Sequence, residues 1–169
     1  FGGGFTDNGG AGLTLGNGAR DMSVDNALFR DNDGVGISAG SGITSVTGSH
    51  FQDNQGPGVW FQNYGNFNGN TFSTSGSQTV GISGYLAGGA TLVDNASTYT
   101  GPGADTIALA NLQGNGNAFV TGDDGPVITG TGVSRYGSAD GAYADVLVSS
   151  AGVALPALAP VTAATTAPV

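Results

Sequence analysis

Four aspartates each stand two places after an apolar anchor: Asp7 after Phe5, Asp31 after Phe29, Asp53 after Phe51 and Asp94 after Leu92. Carboxylates repeated in this way have three chemical uses. Two at a set separation can work as acid and base on a glycosidic bond. Several can ligate Ca²⁺ through their oxygens. Each can also close a turn by bonding nearby backbone. If the copies lie one strand spacing apart, about 4.8 Å, neighbouring charges repel by on the order of 1 kcal/mol in water. Thr74 interrupts the series. The turn role is therefore the expectation, with Asp31 and Asp53 as the pair that a Ca²⁺ ion would use. Asp123-Asp124, between Gly122 and Gly125, reads as a solvated turn.

Two cationic side chains invite similar scrutiny. Arg30 follows Phe29 and is expected to point outward beside Thr6 and Gln52, paired with a neighbouring Asp. An exposed pair of that kind contributes little stability. His50 precedes Phe51 and is expected outside, in line with Leu28 and Thr71. It has no Ser or Cys nucleophile frame, and one His does not make a metal site.

The aromatic residues say more. Trp60 sits between Val59 and Phe61, so alternation turns it to the solvent side of a strand. Tyr64 and Tyr85 lie 21 positions apart, about one repeat, and are expected to be neighbours. Gln62, Asn63, Asn66 and Asn68 are interleaved with them. Aromatic faces with amide neighbours suit sugar rings, which offer C–H faces and hydroxyl rims. Trp60, Tyr64, Tyr85, Asn63 and Gln62 are thus the candidate glycan-binding set. The competing expectation is that a loop, the C-terminal segment or another subunit covers them.

The elements that position these residues follow from a repeat. The stretch Phe29 to Ile37 reads FRDNDGVGI, and Phe51 to Val59 reads FQDNQGPGV. Phe5 to Leu13 is an earlier copy, Phe72 to Val80 a degenerate one, and Leu92 begins a fifth. Upstream, Val24, Val46, Phe67 and Ala87 precede the anchors by five places, followed by Asn26, Gly48, Gly69 and Gly89. Downstream apolar pairs are Leu13/Leu15, Ile37/Ala39, Val59/Phe61 and Val80/Ile82, the alternation of a half-buried strand. A period in the twenties made of strands and turns predicts a solenoid whose coils share one core. Phe5, Phe29, Phe51 and Phe72 then form an internal stack continued by Leu92. Asn8, Asn32 and Asn54 form a ladder of amides. The paired glycines Gly10/Gly12, Gly34/Gly36 and Gly56/Gly58 meet turns that need positive φ or close backbone approach.

Composition agrees. The 169 residues include 33 Gly, no Cys and no Lys, and all 12 acidic residues are Asp. Strong helix formers are scarce, and turn formers abound. A net charge of −9 argues against nucleic acid as a partner. No apolar run has the length of a membrane span. After Asn95 the register fades. Residues 98–155 are expected to form irregular last coils or a β cap, and 156–169 an Ala/Thr/Pro-rich tail.

With VTGSHFQDNQGPGVWF, Val46 to Phe61, the chain resembles a coil of the right-handed parallel β-helix proteins of the pectate-lyase-like superfamily. The resemblance covers about residues 5–97. It implies an all-β, right-handed parallel β-helix of about four to five coils. It also implies one of two activities: polysaccharide lyases, hydrolases and epimerases, or tailspikes and surface adhesins. Hydrolases of that superfamily tend to carry Gly-His-Gly and Arg-x-Lys, and this chain has neither. The expectation is a non-catalytic module, extracellular or on a virion surface, contacting a polysaccharide or cell-surface glycan or partner subunits. Its partners would include an upstream region of the same product or further copies in a trimer. The alternatives are the C-terminal coils of a polysaccharide-active enzyme and a purely structural fibre segment.

Overall fold

The structure is a computed structural model. It describes residues 2–16, 18, 21–40, 43–78, 80–102, 108–114, 117–121, 129–131, 134–139 and 142–145. Asp123-Asp124 and the 156–169 tail lie outside them.

The described residues form strands and no helix. Each coil places one strand on each of three faces. The first coil has β1 (Gly3–Thr6), β2 (Leu13–Leu15) and β3 (Met22–Asp25). The second has β4 (Ala27–Arg30), β5 (Ile37–Ala39) and β6 (Ile43–Thr47). In the third, β7 (His50–Gln52) is followed by β8 (Val59–Asn68), which crosses both remaining faces. The fourth repeats this with β9 (Thr71–Thr74) and β10 (Val80–Val93). Then come β11 (Ala96–Tyr99), β12 (Ala108–Gly114), β13 (Asn117–Thr121), β14 (Thr129–Thr131), β15 (Ser134–Ala139) and β16 (Ala142–Asp145).

Pairing between coils is parallel. The first face stacks β1-β4-β7-β9-β11, and β2-β5-β8-β10 and β3-β6-β8-β10 build the other two. The chain is thus an all-β parallel β-solenoid of about four turns. Within 98–155 the parallel stacks continue, β10 to β12 to β14 and β10 to β13 to β15, before β16 pairs antiparallel with β15.

The core is built from columns of like residues. Phe5, Phe29, Phe51 and Phe72 stack with ring centroids 4.8, 4.9 and 4.9 Å apart, the strand spacing itself. Phe29 and Phe51 are wholly buried. The second glycine of each pair lies against this stack. A Cβ on Gly36 would stand 2.5 Å from the Gly58 carbonyl oxygen and 2.7 Å from Phe51 Cδ1. Close approach is therefore the reason for glycine there. Positive φ falls elsewhere, on Asp7, Asp31 and Asp53 (56°, 54° and 50°) and on Asn26, Gly48, Gly69 and Asp94 (51°, 56°, 61° and 52°). Asp and Asn tolerate this left-handed conformation better than other side-chain-bearing residues.

The Asn ladder forms as expected and runs one rung further. Asn8 Nδ2 donates to Asn32 Oδ1, and Asn32 Nδ2 to Asn54 Oδ1, both at 2.7 Å; Asn54 Nδ2 donates to Gln78 Oε1 at 3.1 Å. Asn32 Nδ2 also donates to the Phe5 carbonyl, 3.0 Å, and Asn32 Oδ1 accepts the Asn8 backbone N–H, 3.2 Å. A buried amide with all of these bonds made avoids the desolvation cost that an unpaired one would carry. The ladder ends at Gln78, whose Nε2 is buried without a partner. A second ladder stands one corner away. Asn70 Nδ2 donates to Asn95 Oδ1 at 2.9 Å, and the Ser49 N–H donates to Asn70 Oδ1 at 3.0 Å.

The fourth and fifth copies depart from the expected alignment. Val59 pairs with Ile82 rather than Val80, because the turn after β9 holds two extra residues and Gln78 takes the ladder place. Phe72 pairs with Ser97, not Leu92. Leu92 continues the Val24, Val46, Phe67 column in place of Ala87. Asp94 accordingly joins Asn26, Gly48 and Gly69 at their left-handed corner and leaves the Asp7 column. The physical cause is length: β10 spans two faces and carries three residues, 86–88, where β8 carries only Asn63.

Replacing Phe51 by Ala removes the middle of the ring stack. The expected loss is about 3–5 kcal/mol, measured by urea unfolding. A change below about 0.5 kcal/mol, as at a surface position, would contradict the stacking.

Candidate functional site

Alternation along β8 buries Val59, Phe61 and Phe67 and leaves Trp60 half-exposed on the outer side. Phe61 is accommodated by small partners, Ala39 on one side and Gly84 on the other. Trp60 lies in a row with Ser38 and Ser83, and Gln62 is level with Tyr85. Trp60, Gln62 and Tyr85 therefore share one face across two coils. Asn63, with φ of 75°, marks the corner to the next face. Tyr64 stands past it, level with Gly89 and Ile43. Tyr64 and Tyr85 are not register neighbours, because the two-residue insertion before β10 sets Tyr85 level with Gln62. Both are exposed, 52% and 50%, the large hydrophobic side chains left open among the described residues.

The sequence reading missed Ser38 and Ser83, which flank the indole and carry hydroxyls. Their signal was the coil register itself: Ser38 stands the same 22 places before Trp60 as Phe29 before Phe51, whereas Ser83 was hidden by the two-residue insertion before β10.

The carboxylates occupy a different face. Asp7, Asp31 and Asp53 follow β1, β4 and β7 in register. Asp31 Oδ2 lies 3.1 Å from Arg30 Nε, both side chains substantially exposed, so Arg30 takes the outward pairing expected of it. Asp53 is the more enclosed. Partial burial pushes its carboxyl up, but hydrogen bonds from the Ser75 N–H (2.6 Å), the Ser75 hydroxyl (2.9 Å), the Gln52 amide (3.4 Å) and the Thr74 hydroxyl (3.4 Å) outweigh it. The group is held below its ordinary value of 3.8. Asp53 thereby ties the inserted turn at Ser75 to the coil beneath. For Ca²⁺, Asp31 and Asp53 supply one carboxylate each, and no group of three or more His, Cys, Asp or Glu able to hold a metal ion occurs among the described residues. His50 is exposed, and its Nδ1 meets the Thr71 hydroxyl.

No family model, curated protein or solved structure matches this chain.

A depressed carboxylate stabilises the fold above its unfolded pKa and loses that contribution as pH falls through its folded pKa. Asp53→Asn keeps a residue that tolerates positive φ and removes the titration. The variant is expected to lose less stability than the parent between pH 7 and pH 3, compared by urea unfolding at each pH. Equal losses would contradict the assignment.

Proposed function

We propose that this chain is a non-catalytic glycan-contacting module of the right-handed, pectate-lyase-like β-helix type, working outside the cell or on a virion surface. The observation that carries the reading is exposed Tyr85 on one face with half-exposed Trp60, flanked by the amide of Gln62 and the hydroxyls of Ser38 and Ser83, with Asn63 at the corner and exposed Tyr64 just past it. Leaving large aromatic surface wet on a sheet face is costly unless a ligand uses it. Sugar rings match its chemistry, with C–H faces for the rings and hydroxyls for the amides. Attachment to an upstream region or assembly with further copies fits a module that presents such a face.

The enzyme reading asks for a carboxylic acid that keeps its proton near neutral pH. Asp53 is shifted the opposite way, and Asp31 faces Arg30. Neither carboxylate lies on the aromatic face.

A glycan array probed with the parent chain and with Trp60→Ala tests the reading. Binding is expected to weaken by about tenfold, the equivalent of about 1.4 kcal/mol, with Tm nearly unchanged. Loss of folding in Trp60→Ala would show that the indole is a packing residue and overturn its role in binding.

A further inference from the structure

We infer that the glycan taken by the Trp60 face is an uncharged polysaccharide, free of uronic acid, sulfate and phosphate groups; this rests on the glycan reading above. The observation is where the charges are not. From Asn54 through Val93 there is no Asp, Glu, Lys, Arg or His. The same is true from Gly34 through Ser49 and from Thr106 through Gly122. These stretches contain β5, β6, β8, β10, β12 and β13, which are the second and third faces of the second to fifth coils; beyond them the third face carries Asp25 on β3 and Arg135 on β15. Over those coils, two adjoining faces of a protein with net charge −9 thus carry no formal charge. In this part of the chain the described charges are confined to the first face and its corners: Arg30, Asp31, Asp33, His50, Asp53 and Asp94.

Recognition of an acidic polymer relies on Arg forks or Lys ammonium groups. This face has neither, and the field of the whole protein repels polyanions. A polycation would need carboxylates, and the face has none of those. Its outward side chains are hydroxyls, amides and aromatic rings: Ser38, Trp60, Gln62, Ser83 and Tyr85. Hydroxyl and amide groups both donate and accept, as neutral sugar hydroxyls do. A protein partner would ask for a broader apolar centre, often with Arg. Among the described residues, the large exposed apolar surface of this face is Tyr85 and part of the Trp60 indole, with Tyr64 past the corner.

The test is affinity electrophoresis of the whole chain in native gels. One panel holds neutral glucans, mannans and galactans; a second holds polygalacturonate, alginate and heparin. Each is run at low and high NaCl. At least one neutral polymer is expected to retard the protein equally at both salt levels, within about twofold. Tyr85→Ala, at an exposed position, is expected to weaken that retardation by about tenfold while leaving Tm unchanged. The acidic panel is expected to leave mobility unaffected. Retardation by an acidic polymer alone, fading with salt, would overturn the uncharged class and leave the glycan reading standing. Retardation by neither panel would overturn the glycan reading itself. Self-association in sedimentation that is lost in Tyr85→Ala would then assign the face to a second copy of the chain.

Discussion

A chain that winds back onto itself at the strand spacing makes every residue meet its counterpart about 4.8 Å away. That constraint sorts residue types. Phenylalanine meets phenylalanine well, as the near-parallel rings of Phe5, Phe29 and Phe51 show. Asparagine meets asparagine well, because each amide offers both a donor and an acceptor along the stack. Aspartate meets aspartate poorly unless water screens the pair. The three residue types are accordingly separated: Phe inward, Asn buried at the turn, Asp on the outer side of a left-handed corner. The same rule explains the glycines of the repeat. A Cβ at Gly36 or Gly58 would enter the space taken by the ring of the next coil.

Period and residue type were readable where the coil length was constant. Between Phe29 and Val59 each column falls where the spacing puts it, and the Phe stack, the Asn ladder and the outward place of Arg30 follow. The alignment fails where length changes. The turn after Phe72 holds two more residues than its predecessor, and β10 crosses its corner with 86–88 in place of a single residue. A fixed step then reads Leu92 as the next anchor. The true occupant of that place, Ser97, has no aromatic ring to announce it. The second ladder was lost for the same reason, since Asn95 lines up with Asn70 only after Ser97 is set beneath Phe72. Positive φ was assigned to glycines because glycine adopts it most readily, whereas here Asp and Asn carry most of it.

The aromatic set was legible residue by residue, and its arrangement was not. Alternation alone turned Trp60 outward, but the pairing of Tyr85 with Gln62 depends on the insertion that the repeat concealed. Charge placement links fold and surface. Asp suits the left-handed corners flanking the first face, where Asp7, Asp31, Asp53 and Asp94 stand, and the long β8 and β10 crossings carry neutral side chains. From the second to the fifth coil the first face and its corners hold the described charges, and the other two faces present hydroxyls, amides and rings.

The register of β10 on β8 decides where the candidate site lies, and nitroxide labels read it directly. The chain has no Cys, so paired cysteines introduced at Gln62 and Tyr85 are the sole labelling points. Labels at positions 62 and 85, about one strand spacing apart, are expected to show strong spin exchange. Labels at Tyr64 and Tyr85 are expected to show markedly weaker coupling. Strong exchange for the 64/85 pair and weak coupling for 62/85 would contradict the register and dissolve the site built on it.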